Sequence, residues 1–99
     1  MIDAALCEQS PGRYALNGCL SFKTVDRLLR DSTSLFSSAA PLVVDLSGVE
    51  RTDSAGLALL VEWMKIARCT DKRLTFCNMP EQMLEIARTC GLVDVLPIV

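Results

Sequence analysis

The reading of one stretch decides the fold: Leu42-Val43-Val44-Asp45-Leu46-Ser47-Gly48-Val49-Glu50-Arg51-Thr52-Asp53-Ser54-Ala55-Gly56-Leu57-Ala58-Leu59-Leu60-Val61-Glu62-Trp63-Met64-Lys65-Ile66-Ala67. It opens with a valine-rich apolar run, Leu42 to Leu46, broken only by Asp45 and bounded by Pro41 and Ser47-Gly48. A short β-branched run between turn signals predicts a buried strand. Val49 to Asp53 reads as a polar loop. The apolar residues from Leu57 onward run too long, and are too helix-prone, for a second strand. The order is therefore strand, loop, helix, and the loop delivers Asp53-Ser54-Ala55-Gly56 to the helix start.

A helix start has its own chemistry. Its first backbone N–H groups lack intrahelical partners, and Asp53 or Ser54 can accept from them as an N-cap. The same N–H groups and the helix dipole favour negative charge there. Ser54 is thus suited to a second role, as a phosphate acceptor whose dianion is stabilised where it forms. The neighbouring Asp53 opposes that charge. Both roles, cap and functional serine, are open on the chemistry alone.

The helix predicted from about Ala55 to Arg68 carries apolar residues on two sides. Leu57, Leu60, Val61, Met64 and Ala67 form one stripe at 3.6-residue spacing, and Leu59, Trp63 and Ile66 form another. Only the arc of Ala58, Glu62, Lys65 and Cys69 is relatively polar. Such a helix is wedged between elements or offers one side to another molecule. The first stripe reads as core. Trp63, the single tryptophan, suits either packing or a partner contact, since tryptophan is enriched at interfaces.

Working outward, Ala4 to Glu8 reads as a weak first strand and Arg13 to Asn17 as a second, ended by Gly18. The turn Gln9-Ser10-Pro11-Gly12 joins them into an antiparallel hairpin. Thr24 to Phe36 places Val25, Leu28, Leu29, Leu35 and Phe36 at helical spacing, and Ser37 to Pro41 is a short connector. After the central helix, Thr70-Asp71-Lys72-Arg73 is a polar loop and Leu74 to Cys77 a short strand. Asn78 is placed to cap the next helix, with Glu81 reaching back and Pro80 in the first turn. Met83, Leu84, Ile86, Ala87 and Cys90 supply its apolar positions, and Gly91 ends it. Leu92 to Val99 is expected to fold back as a helical turn and an extended end. The succession β-β-α-β-α-β-α predicts an α/β fold. Its sheet is mixed, an antiparallel N-terminal hairpin followed by parallel βαβα, with the helices mainly on one face.

Ninety-nine residues, 51% of them hydrophobic, suit one globular domain spanning 1–99. Twelve acidic against ten basic residues give a net charge of −2, without the concentrated basic face that nucleic acid requires. No apolar run approaches the roughly 20 residues of a membrane span. The first residues lack a basic n-region, so a cytoplasmic location is expected. The five cysteines, at 7, 19, 69, 77 and 90, show no C-x-x-C and no disulfide or zinc spacing. They are expected to be free, buried and hydrophobe-like. The chain has no histidine, which removes Ser-His-Asp and Cys-His catalysis and the commonest metal ligand. Thr52-Asp53-Ser54-Ala55-Gly56 has the outline of a G-x-S-x-G nucleophile elbow, but Thr52 replaces the first glycine and no base is present. No catalytic residue, metal or cofactor is expected.

Val43-Val44-Asp45-Leu46-Ser47-Gly48-Val49, followed by Thr52-Asp53-Ser54-Ala55-Gly56-Leu57, resembles the STAS domain family, as does Tyr14-Ala15-Leu16-Asn17-Gly18 near the start. In that family a D-[ST]-[SAG]-G signature carries a serine or threonine that can be a phosphorylated switch, the position of Ser54. Gly56-Leu57-Ala58-Leu59-Leu60 and the ending Leu92-Val93-Asp94-Val95-Leu96-Pro97 are most similar to the MlaB-type subunits of bacterial phospholipid ABC transporters. The resemblance implies a STAS-like sheet and a non-enzymatic subunit. Its partner would be an MlaF-like ATPase subunit, reached through Ser54 and the loop and helix start: Thr52, Asp53, Ala55, Gly56, Leu59 and Trp63. The membrane would be met only through that complex. The alternative it implies is an anti-sigma-factor antagonist whose Ser54 is modified by a partner serine kinase.

Overall fold

A computed structural model describes residues 4–32 and 41–99. The elements are β1 (Ala5–Ser10), β2 (Arg13–Leu20), α1 (Phe22–Asp31), β3 (Leu42–Thr52), α2 (Ser54–Cys69), β4 (Leu74–Cys77) and α3 (Glu81–Thr89). Pro11 and Gly12 turn the chain between β1 and β2, with Gly12 at φ 81, and the two strands pair antiparallel. β2 and β3, then β3 and β4, pair parallel, so the strands stand in sequence order across the sheet. The mixed α/β architecture expected from the sequence is the one observed.

One sheet face is covered. Tyr14, Leu16, Leu20, Leu42, Val44, Leu46, Val49, Leu74 and Phe76 are buried on it, against helices that the alternation of strand residues requires. Arg13, Asn17 and Ser47 on the other face are exposed. α2 lies centrally, packed against both α1 and α3. Its two apolar stripes are both interior: Leu57, Leu59, Leu60, Trp63, Met64 and Ala67 are all buried. Trp63 donates its indole N–H to the buried Ser32 hydroxyl at 2.7 Å, and Ser32 donates in turn to the Leu29 carbonyl at 2.9 Å. This chain ties α2 to the end of α1 and leaves no buried polar side-chain atom unpaired among the described residues.

Several sequence boundaries move. β3 does not stop at Ser47-Gly48 but runs to Thr52, so the expected loop Val49 to Asp53 is largely strand. Ser-Gly marks an irregularity rather than an end: Ala15 pairs with Asp45 and Asn17 with Gly48, three residues of β3 against two of β2. The Asp45 carboxylate accepts from the Ser47 backbone N–H at 2.9 Å and satisfies the donor displaced there. β2 likewise passes through Gly18, at φ 98, to Leu20. α1 begins at Phe22 rather than Thr24; the expected helical positions Leu35 and Phe36, and all of the expected connector Ser37 to Pro41 except Pro41, lie outside the described residues.

The C-terminal half shows two further differences. Asn78 does not cap α3. It sits at φ 56 and donates its side-chain amide to Asp45 at 3.2 Å, and Pro80 takes the N-cap position. The cysteines are free but not buried: Cys7, Cys69 and Cys90 are exposed, Cys19 and Cys77 half-buried. The reason is placement, since Cys7 and Cys77 align with Ala15 and Asp45 across the open sheet face, and Cys69 and Cys90 sit at helix C-terminal ends. Leu92 to Leu96 makes a helical turn, as expected, and the end then pairs with β4: Phe76 N–H donates to Pro97 and Val99 N–H to Phe76, each at 2.9 Å.

Two predictions follow from this packing. Ser32→Ala orphans the buried indole N–H and should cost about 1–3 kcal/mol in urea unfolding. A Trp63→Phe background should remove most of that difference, and an undiminished loss in the double variant would place the cost elsewhere. The second concerns acid. The Asp45 carboxyl is held below its usual range by hydrogen bonds from Ser47, then Asn78, with Arg13 adding charge, against a smaller opposing effect of burial. A lowered folded-state pKa stabilises the protein above the unfolded value of about 4 and loses that stability as pH falls through the folded value. Asp45→Asn should therefore flatten the fall in melting temperature below about pH 4.

Candidate functional site

The site is built where β3 hands over to α2. Leu20, the last residue of β2, is in register with Thr52, the last of β3, and the Asp53 N–H donates to the Leu20 carbonyl at 3.3 Å. The chain then turns upward into α2. Asp53 is the N-cap: at φ −121 its carboxylate accepts from the Ala55 N–H at 2.8 Å, and its carbonyl accepts from the Gly56 N–H at 3.1 Å. The open choice between Asp53 and Ser54 is thus resolved, and Ser54 is released from capping. It occupies the first helical position, exposed, with no hydrogen bond from its hydroxyl among the described residues.

Apart from the exposed Asp53, the neighbours of Ser54 are wall rather than surface. Thr52 is buried; its hydroxyl donates to the Asp53 carbonyl at 3.0 Å and its N–H to Gln82 Oε1 of α3 at 3.3 Å. Gly56 is buried in contact with both strands. A Cβ there would lie 2.0 Å from the Thr52 hydroxyl and 3.0 Å from Leu20. Ala55 is buried beside it.

Of the residues expected to meet a partner, the surface therefore offers Ser54 and Asp53. Thr52, Ala55 and Gly56 shape the turn from beneath. Leu59 and Trp63 are corrections: both are fully interior, Trp63 at 1% exposure, because the second apolar stripe of α2 faces α1 and the core. The exposed continuation of the site along α2 is Ala58, one turn beyond Ser54, and then the Glu62–Lys65 ion pair at 3.3 Å.

Two residues at the site escaped the sequence reading. Gln82 belongs to α3 in sequence, and only the fold brings it under Thr52. Phe22 fell in the connector before the expected helix, yet it opens α1 beside this same sheet end and is 79% exposed. The available signal for Phe22 was its position directly after Ser21, a residue type that commonly precedes a helix.

The arrangement presents an unengaged hydroxyl on a rigid helix start. No group of three or more cysteine, aspartate or glutamate side chains among the described residues could hold a metal.

Comparison with known proteins places this geometry. A family model described as "Mlab, STAS domain" matches residues 8–97. Comparison with curated proteins finds no match. Among solved structures, the anti-sigma factor antagonist SpoIIAA in its unphosphorylated form is similar, with a TM-score of 0.72 and 17% identity, over 97% of this chain and 87% of that one. An anti-sigma-factor antagonist (STAS) domain protein from Planctomyces limnophilus is similar with a TM-score of 0.71 and 20% identity, over 100% of this chain and 90% of that one.

Gly56→Ala tests the wall. The methyl meets the short, fixed Thr52 and Leu20 side chains, so overpacking should cost about 1–3 kcal/mol. Gly48→Ala meets chiefly the end of the exposed Asn17 side chain, which can swing away, and should cost less. Comparison of their urea midpoints checks the ordering.

Proposed function

The chain belongs to the STAS domain family, and on that premise we propose that it is a non-enzymatic subunit that docks on the ATPase subunit of an ABC-type phospholipid transport complex. Such a complex would maintain outer-membrane lipid asymmetry, with this chain held at the cytoplasmic face of the inner membrane through its partner. The observation that carries the reading is the exposed, unengaged Ser54 hydroxyl on a fixed helix start, in a chain matched over residues 8–97 by a model of MlaB type. Docking would bury that hydroxyl against a hydrogen-bonding group of the ATPase. The capped helix start holds its backbone, so little main-chain order is lost on binding.

One observation favours a second reading, a phosphorylation-switched anti-sigma-factor antagonist. A relative in fold, SpoIIAA, is an anti-sigma factor antagonist described in an unphosphorylated form, and Ser54 is accessible to a kinase. Phosphate at Ser54 would bring bulk and roughly two negative charges beside Asp53 and would block docking. Incubation with a cognate serine kinase and ATP, read by intact mass, separates the readings, since only the antagonist gains a phosphate on Ser54.

Co-purification with the ATPase subunit tests the first reading. Ser54→Ala leaves a partner group unpaired and should weaken binding by about 1–3 kcal/mol, roughly 5- to 150-fold. Ser54→Glu carries charge into a desolvated contact and should weaken it further. Recovery of both variants at the wild-type level would remove Ser54 from the interface.

A further inference from the structure

We infer that the cavity between the C-terminal turn of α2 and the start of β4 holds the phosphate of an anionic phospholipid, so that this end of the molecule meets a bilayer surface directly. The inference uses neither Ser54 nor the ATPase. The cavity lies at the other end of α2, whose 16 residues span about 24 Å.

The cavity has a volume of about 220 Å³ and is bordered by three cations, Arg68, Lys72 and Arg73; every other side chain lining it is apolar. Met64, Ala67 and Leu74, all buried, form its floor, and Val95, 49% exposed, stands at its mouth. It is smaller than the roughly 300 Å³ at which pockets for drug-sized ligands begin, and so suits a headgroup. Arg13, Arg30, Lys65 and Arg88 are each paired with a carboxylate. Arg68, Lys72 and Arg73 have no such partner among the described residues. Asp71 and Asp94 adjoin the lining in sequence, but both are exposed and neither lines the cavity.

The backbone that carries these cations is fixed. Asp71, at φ 55, reverses the chain after α2. The N–H groups of Thr70, Asp71 and Lys72 donate to the carbonyls of Ile66, Arg68 and Ala67 at 3.0, 3.2 and 2.8 Å, and the Arg73 carbonyl accepts from the Leu42 N–H at 2.8 Å. Those bonds occupy carbonyls at the negative end of the helix. That end is equivalent to about half a charge, which three cations outweigh.

The lining side chains offer donors and hydrocarbon. Lysine and arginine donate without accepting, and a guanidinium matches phosphate oxygens in pairs. A lipid phosphate brings acceptors with hydrocarbon attached. A peptide segment would bring N–H groups for which no side chain here is a strong acceptor. An exposed valine beside three cations also fits an anionic bilayer, whose phosphates draw the cations and whose acyl boundary takes the apolar tip.

The test is flotation of the purified chain with vesicles of phosphatidylglycerol and phosphatidylcholine, and with vesicles of phosphatidylcholine alone. The wild type should bind the first and not the second, less tightly as salt rises. Arg68→Gln/Arg73→Gln should weaken binding about 25-fold, roughly fivefold for each cation. Lys23→Gln/Arg51→Gln removes the same charge from exposed positions at the Ser54 end and should bind like wild type, with all melting temperatures alike. Equal losses in the two double variants overturn the site, because net charge alone then governs binding. A wild type that ignores both vesicles overturns the lipid. In that case, binding of soluble glycerol phosphate that is lost in Arg68→Gln/Arg73→Gln assigns the cavity to a free phosphate ester, and loss of ATPase affinity in the same variant assigns it to a protein. Docking through Ser54 is read separately by Ser54→Ala, so either reading can fail alone.

Discussion

The structure depends on how closely the first turn of α2 approaches the ends of β2 and β3. Gly56 makes that approach possible, because any side chain there would overlap the Thr52 hydroxyl and press on Leu20. Close approach seats the helix on the sheet so that Leu57 and Leu60 reach the core. It also directs the remaining first-turn residue outward. Capping by Asp53 and burial of Ala55 and Gly56 leave Ser54 as the one position of that turn with no work inside the fold. The functional candidate and the packing constraint are thus two results of one geometry.

A central helix buried on two sides needs its polar atoms matched. The Trp63 indole is satisfied by Ser32, and Ser32 lies at the end of α1. The same bond that stabilises the interior therefore ties α2 to the C-terminal end of α1. At the far edge, the tail beyond α3 pairs with β4 through Pro97 and Val99. That covers part of an otherwise unpaired strand edge, the usual source of unwanted association in sheets.

Much of this was legible in the residues, for identifiable reasons. Alternation and helical spacing are local signals, and they located the hairpin, the parallel order, the helix starting near Ser54 and the folded-back tail. What was misread depended on neighbours distant in sequence. Ser47-Gly48 has the composition of a turn, but the Asp45 carboxylate and the adjacent β2 convert it into a strand irregularity. Asn78 has the composition of a cap, but Asp45 offers it a partner across the sheet. The second stripe of α2 was ambiguous because a buried side and a docking side look alike until α1 is known to lie on it. The cysteines, weakly polar and small, carry no pattern that separates an open sheet face from a core.

The hydrogen bonds of the helix start also bear on which role suits Ser54. A phosphate there would draw its stabilisation from first-turn N–H groups. Two of them are committed: Ala55 to the Asp53 carboxylate and Gly56 to the Asp53 carbonyl. A phosphoserine would have to displace an aspartate that remains beside it as a like charge, so the helix start offers a dianion less than its dipole alone suggests. A neutral hydroxyl meets no such conflict. It needs one partner, which nothing within the described fold supplies, and solvent can provide that bond at the exposed first turn.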